Sequence, residues 1–304
     1  MHVLGKAGLA LTGAVLVLGG LIACSPLTAI NAVTPSSGYI KTEGVAYAGS
    51  DNPRQKLDIY RLAAATDVTH AGPGLPVVVF FYGGSWNEGS RKDYAFVGEA
   101  LSSRGIIAVL PDYRVYPEVR YPDFLKDSAQ ALAWTLRSLR ELGGDPQRVF
   151  VMGHSAGAYN AAMLALDARW LRQAGASPEA LRGWIGLAGP YDFLPIENPD
   201  VKPVFFAPDS PPDSQPVRHV QAGAPPALLI ASHKDKLVSA TRNTAGLAAL
   251  LRAQQVAVEE HYFDNTSHAS LVGSLARPLR FLAPTLETVA EFIAAPPPRT
   301  KAAP

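Results

Sequence analysis

Val149-Phe150-Val151-Met152-Gly153-His154-Ser155-Ala156-Gly157-Ala158 is the stretch on which the fold turns. An apolar run stops at Gly153, a single serine stands between two glycines, and small helix formers continue from Ala158 to Leu166. This order predicts a strand, a sharp turn and a helix. A serine held in so tight a turn tolerates no bulk two positions before or after it, and Gly153 and Gly157 fill those places. A free hydroxyl is a poor nucleophile near neutral pH, so a serine displayed this way needs a histidine within reach to take its proton. Ser155 is therefore the candidate nucleophile. Three fixed positions in five arise easily by chance; the strand before and the alanine-rich helix after make the pattern informative.

Outward from this stretch, apolar runs of the same kind recur at Pro76–Phe81, Ile106–Leu110, Trp184–Ala188 and Ala227–Ala231, as strands covered on both faces require. Helical patterns lie between them over Tyr94–Arg104, Asp123–Leu142, Ala158–Arg172, Thr241–Ala253 and Pro284–Ala294. The alternation predicts the α/β class, a mostly parallel central sheet with helices on both faces. In such sheets the site lies at the carboxyl ends of the strands. Val45–Ala48 and Lys56–Tyr60 read as short edge strands around the turn signal Ser50-Asp51-Asn52-Pro53, and Val256–Phe263 alternates as a last strand.

With 304 residues, 48% of them hydrophobic, the chain suffices for one large α/β domain, and a net charge of +1 leaves no footprint for nucleic acid. Its first residues read as a targeting segment: Lys6 supplies a positive start, and Ala7–Ala23 is apolar apart from Thr12, short and glycine-rich for a spanning helix. Leu21-Ile22-Ala23-Cys24 resembles the lipobox of bacterial lipoproteins, in which the cysteine is lipidated. Cys24 is the single cysteine of the chain, so no intrachain disulfide is possible. The expected organisation is a signal peptide over 1–23, a lipidated Cys24 with a tether over 24–41, a folded body over 42–295 and a disordered tail over 296–304. The resemblance implies a chain anchored by lipid in the bacterial cell envelope, at the outer membrane if the source is diderm, since Ser25 follows the cysteine; a cleaved secretory peptide, a retained membrane anchor and a buried N-terminal helix are the alternatives.

Phe81-Tyr82-Gly83-Gly84-Ser85-Trp86 follows a buried strand directly. A glycine pair there lets backbone N–H groups turn toward a substrate oxygen, as an oxyanion hole requires. Gly84 or Ser85, together with Ala156 after the nucleophile, are the expected donors.

At this point the chain resembles an α/β-hydrolase of the carboxylesterase type, near the hormone-sensitive-lipase-like esterases, feruloyl-esterase-like enzymes and arylformamidases. Those families carry His-Gly-Gly-x-Trp or His-Gly-Gly-Gly after the third strand; here Tyr82 stands in the histidine place, so the bracing of the loop must pass to another group or the loop must be looser. Pro111-Asp112-Tyr113-Arg114-Val115-Tyr116-Pro117-Glu118, with Tyr121-Pro122 and Asp127, is similar to the family's stretch after the fourth strand, and Gly189-Pro190-Tyr191-Asp192-Phe193 to its loop after the sixth. Asp112 and Arg114 read as loop braces rather than catalytic groups.

An acid and a base should follow the serine in that order. Asp235 stands in the loop after Pro226–Ala231, where the resemblance places the acid, and His268 in the loop after the last strand, where it places the base. Asp264 and Asp192 are the alternative acids. His233 and His219 read as surface or loop residues, His261 lies inside a strand, and His154 is expected to point away from the line of attack.

The histidines show no paired spacing, and neither glycine-rich pattern carries the lysine of a phosphate loop or the further glycine of a dinucleotide fingerprint, so no metal or cofactor is expected. Phe193–Gly223, with Pro195, Pro199, Pro203, Pro208, Pro211 and Pro212, predicts a short lid rather than a helical cap. Tyr82, Trp86, Tyr159 and Phe193 are candidate pocket residues, with core packing the competing role for each. The expected function is hydrolysis of a small-molecule carboxylic ester, small-acyl or aromatic. Arylformamidase-type amide hydrolysis is the alternative, and a non-catalytic binding lipoprotein on the same fold a further one.

Overall fold

The computed structural model describes residues 26–35, 37–63 and 74–300. The expected leader and Cys24 lie outside them.

The chain opens with α1 (Pro26–Ala32), β1 (Tyr39–Ala46), β2 (Lys56–Leu62) and β3 (Leu75–Phe81). It continues through α2 (Ala95–Ser102), β4 (Ile107–Pro111), α3 (Asp123–Leu142), β5 (Gly144–His154), α4 (Ala156–Leu166) and α5 (Ala168–Gln173). The C-terminal part holds β6 (Leu181–Leu187), β7 (Ala227–Ser232), α6 (Gly246–Ala253), β8 (Val258–Phe263), α7 (His268–Gly273) and α8 (Thr285–Ala294). The strands form one eight-stranded sheet in the order β1-β2-β4-β3-β5-β6-β7-β8. The pairs from β4 to β8 are parallel, whereas β1–β2 and β2–β4 are antiparallel. The α/β architecture with helices on both faces stands as the alternation of runs predicts.

Burial explains the composition of the strands. Every residue of β4 and β7 is buried, because helices cover both faces, and these strands carry no alternation. β8 is an edge strand, half-buried throughout, and so can hold Glu259, Glu260 and His261 in sequence, as the opposite edge β1 holds Lys41 and Glu43. α4 runs under the centre of the sheet with all of its residues buried, which its small side chains make possible.

The turn between β5 and α4 needs its glycines. A Cβ on Gly157 would overlap the Phe81 carbonyl, and one on Gly153 would overlap the backbone of Gly157. Ser155 itself sits at φ 53°, ψ −123°, a conformation that L-residues avoid unless surrounding structure imposes it.

Four expectations change. Residues 26–32 are helical rather than tether, and Asn31 ties them to the body by donating to the Lys92 carbonyl and accepting from the Phe96 N–H. The first strand runs over Tyr39–Ala46 rather than Val45–Ala48 and begins three residues before the expected start of the body at 42, because its pairing with β2 runs back to Tyr39–Leu62. At the other end, residues 296–300 are held rather than loose: Arg182 donates to the carbonyls of Pro296 and Pro297, and Arg299 to that of Gly223. The helix expected over Ala158–Arg172 is also two helices, because Asp167 turns extended and caps α5 through the Arg169 N–H.

Asp112 and Arg114 do brace loops, though through different partners. Arg114 forms a two-pronged pair with the carboxylate of Asp127, which also receives the Gln55 amide. Asp112 pairs with Arg91, whose guanidinium also reaches Asp58. Lid residues 194–220 contain short turns and no long helix.

Candidate active site

The three residues singled out after strands β5, β7 and β8 meet at the carboxyl edge of the sheet. His268 Nε2 lies 2.8 Å from Ser155 Oγ, and His268 Nδ1 lies 2.7 Å from Asp235 Oδ2. A carboxylate only accepts, so Nδ1 carries the proton and Nε2 is left to accept from the Ser155 hydroxyl. The hydroxyl thus faces a base in the tautomer that can take its proton. The Asp235 side chain is 1% exposed, and its other oxygen accepts the N–H groups of Leu237 and Val238, both at 2.9 Å. Burial alone would raise its pKa, but the hydrogen bond and charge of His268, with those two backbone donors, hold it below the ordinary aspartate value.

The alternative acids and bases are engaged elsewhere. Asp264 pairs with His233 at 2.8 Å, both exposed, and Asp192 with Arg242 at 3.1 Å. His219 bonds the Asp213 carbonyl, and His261 is fixed within β8 opposite Ile230.

The loop after β3 faces the serine from the other side. The N–H groups of Gly84 and Ser85 donate to no described residue, and that of Ala156 opens α4, where no intrahelical acceptor exists. Gly84, Ser85 and Ala156 all line one cavity with Ser155 and His268. Gly84, Ser85 and Trp86 have φ of 135°, 50° and 57°, so the chain is turned over at three consecutive residues. Strain of that kind persists only where neighbours hold it. Here the Trp86 indole donates to Asn160 at 3.0 Å, the Tyr116 N–H to the Trp86 carbonyl at 2.7 Å, and the Tyr113 hydroxyl to the Tyr82 carbonyl at 2.8 Å. These groups do the bracing that the family's histidine would otherwise supply.

The candidate pocket residues divide. Trp86 and Phe193 line the cavity, while Tyr82 and Tyr159 do not. Tyr82 is stacked between Tyr94 and Tyr113, at 5.8 and 4.7 Å between ring centroids, and Tyr159 is fully buried with its hydroxyl on the Ser214 carbonyl. For these two the core role wins, since ring packing on all sides is more favourable than an edge on solvent. The cavity has a volume of about 680 Å³ and is lined on the lid side by Ile196 and Val201, with the exposed Leu237 also on its wall.

Two neighbours of the serine make contacts that the sequence did not indicate. Gly83 lies closest to it, since a Cβ there would come within 3.0 Å of the Ser155 Cβ. His154 turns toward His268 and donates to its backbone carbonyl at 2.9 Å. The only signal for either was adjacency to a motif already marked. Among the described residues no group of three His, Cys, Asp or Glu side chains could hold a metal ion.

Comparison with known proteins agrees with this architecture. The isoprenylcysteine alpha-carbonyl methylesterase of Arabidopsis thaliana is 35% identical over 151 residues, 48% of this chain and 34% of that protein. The esterase LipC of Mycobacterium tuberculosis is 28% identical over 219 residues, 66% of this chain and 52% of that protein. The chain thus spans between a third and about half of the length of these relatives. Among solved structures, butyrate-bound esterase 2 of Thermogutta terrifontis superposes with a TM-score of 0.67 at 22% identity, covering 85% of this chain and 94% of that one. A truncated carbohydrate esterase from gut microbiota gives 0.69 at 15% identity, covering 86% and 98%. At such identities the likeness shows the fold, that of the α/β-hydrolases. The BD-FAE family model matches residues 57–250, well over half of the chain, from within β2 through the serine and into α6, and the chain belongs to the BD-FAE family.

Proposed function

We propose that the chain is a carboxylesterase in which Ser155 is the nucleophile, His268 the general base and Asp235 the acid that orients it. The observation that carries this reading is the unbroken run of hydrogen bonds from Asp235 through His268 to the Ser155 hydroxyl, beside a cavity lined also by Gly84, Ser85 and Ala156, whose N–H groups have no partner among the described residues. Ser155 Oγ attacks the ester carbonyl as His268 Nε2 takes its proton. The carbonyl oxygen becomes an oxyanion held by the three N–H groups, and His268 returns the proton to the departing alcohol. Water, deprotonated by the same imidazole, then attacks the acyl-enzyme and releases the acid. The esterase relatives support the chemistry. The short lid and aromatic wall of Trp86 and Phe193 favour small-acyl or aromatic esters.

Hydrolysis of a p-nitrophenyl ester series from acetyl to palmitoyl tests this directly. Acetyl and butyryl esters should turn over fastest, and Ser155→Ala should lose about 10⁴-fold or more in kcat. Retention of activity by the variant would remove the nucleophile, and a palmitoyl optimum would remove the small-acyl assignment. The lipobox supports a second element of the reading, a lipid anchor at Cys24 that holds the enzyme at the cell envelope. Labelled palmitate should enter the full chain in a bacterial host and be lost in Cys24→Ser; equal labelling of the two would refute it.

A further inference from the structure

His154 stands between the nucleophile and the end of β5, and the proposed reaction does not use it. Its side chain is 5% exposed and borders the cavity. The ring makes one hydrogen bond, from Nε2 to the backbone carbonyl of His268 at 2.9 Å. A carbonyl only accepts, so Nε2 carries the proton, and in the neutral ring Nδ1 is bare. Nδ1 is buried without a hydrogen-bond partner among the described residues and faces Gly83, where a Cβ would come within 3.1 Å of it. Burial first, and the nearby charge of His268 second, push its pKa down to about 3, so the ring is neutral wherever an esterase works. The two imidazoles lie 4.9 Å apart between centroids.

We infer that His154 is a positioning residue for the base: its Nε2–H ties the backbone of His268 to the residue beside the nucleophile and so fixes the reach of His268 Nε2 to Ser155 Oγ. The inference rests on the reading of Ser155 and His268 as nucleophile and base. Its physical content is a closed ring of contacts. Two consecutive residues hold one distant residue at two points, Ser155 at the imidazole and His154 at the carbonyl, across 113 and 114 positions of sequence. Ser155 and Asp235 hold the imidazole by its two nitrogens, and the His154 bond adds a hold on the backbone at the start of α7 from which that ring extends. Proton transfer needs donor and acceptor about 2.6–3.2 Å apart, and a misplacement of about 1 Å can cost about 100-fold in rate. Neutrality matters too, because His268 becomes a cation as it takes the serine proton, and a permanent cation in place of His154 would oppose that charge.

Amide side chains separate this role from general packing. A glutamine amide nitrogen can occupy the place of Nε2, whereas an asparagine amide reaches only as far as Nδ1. His154→Leu and His154→Asn should each lose about 30- to 100-fold in kcat for a p-nitrophenyl ester, with KM changed by less than about threefold. His154→Gln should recover to within about fivefold of the wild type. Equal losses in all three variants, or a rise in KM with kcat kept, would overturn the inference. Stoichiometric phosphonylation of Ser155 by a fluorophosphonate gives the same ranking without any ester. If the wild type reacts with the probe yet hydrolyses no ester, the substrate reading fails while the positioning role is still measured. Nitrogen-15 NMR of the wild-type histidines covers the case of unfolded variants. One buried ring should stay neutral and Nε2-protonated over about pH 5 to 8, and a 154 ring that titrates there or carries its proton on Nδ1 refutes the bond.

Discussion

Asp127 and Asp235 are two carboxylates of nearly equal enclosure, 0% and 1% exposed, and each accepts hydrogen bonds from a basic side chain and from backbone N–H groups. Asp127 takes both prongs of Arg114, its N–H and the Gln55 amide; Asp235 takes His268 Nδ1 and the N–H groups of Leu237 and Val238. Counting bonds would rank Asp127 first. The difference lies in what stands on the far side of the base. A guanidinium never gives up its proton, so the Arg114 pair is a permanent clamp between the segment after β4 and α3. An imidazole has a second nitrogen with a lone pair, and in His268 that nitrogen meets the Ser155 hydroxyl. The same burial of a carboxylate thus makes a scaffold in one place and, in the proposed reaction, a proton path in the other.

Removing each carboxylate should break the comparison cleanly. Asp235→Asn keeps the shape but lets the amide N–H face His268, which favours the tautomer with its proton on Nε2, where it cannot take one from serine. We expect kcat to fall by about 10⁴-fold with the melting temperature within a few degrees of the wild type. Asp127→Ala should do the reverse. It leaves the Arg114 guanidinium without its partner beside a buried Gln55 amide, and the expected cost is about 3 kcal/mol in denaturant unfolding, with kcat per folded molecule changed by no more than a few-fold. If Asp127→Ala lowered kcat as far as Asp235→Asn does, the clamp would belong to the catalytic machinery.

What the sequence allowed one to read follows from the range of the physics involved. The strand, elbow and helix around Ser155 are legible because their pattern lies within ten consecutive residues; Gly153 answers the backbone of Gly157 four residues on, although Gly157 itself makes room for the distant Phe81 carbonyl. His268 and Asp235 were legible through chain order, each in the loop after an apolar or alternating run. Contacts that join distant segments left no such mark. The bond from His154 to His268 spans 114 positions, the Arg182 grip on Pro296 spans 114, and the Asn31 bond to Lys92 spans 61. Each depends on where a side chain ends up, which composition does not encode. Tyr82 and Tyr159 went astray for a related reason: an aromatic residue beside a site reads the same whether its ring meets substrate or other rings, and stacking on Tyr113 and Tyr94 settles Tyr82 only in three dimensions.

Acid should sharpen the contrast. Because the folded-state pKa of Asp235 lies below its unfolded value, the stability it contributes is complete above about pH 4 and is lost as pH falls through the folded-state value. The unfolding free energies of wild type and Asp235→Asn, measured from about pH 6 downward, should therefore converge on acidification. A constant gap would mean that the His268 bond does not depend on the carboxylate charge.

The smallest effect concerns a brace with no charge. The Tyr113 hydroxyl holds the Tyr82 carbonyl, and with it the first peptide of the loop that turns Gly84 and Ser85 toward the serine. Tyr113→Phe keeps the ring stack and removes only this donor, leaving a buried carbonyl unpaired at a cost of about 1–2 kcal/mol. Trp86 still anchors the far end of the loop through Asn160, so the oxyanion donors should drift rather than collapse. A few-fold fall in kcat at unchanged KM is expected, far short of the roughly 100-fold that deletion of a donor produces. An effect as large as that would show that a single neutral bond holds the loop in the turned-over conformation. No effect would show that the aromatic stack of Tyr82, Tyr94 and Tyr113 holds it alone.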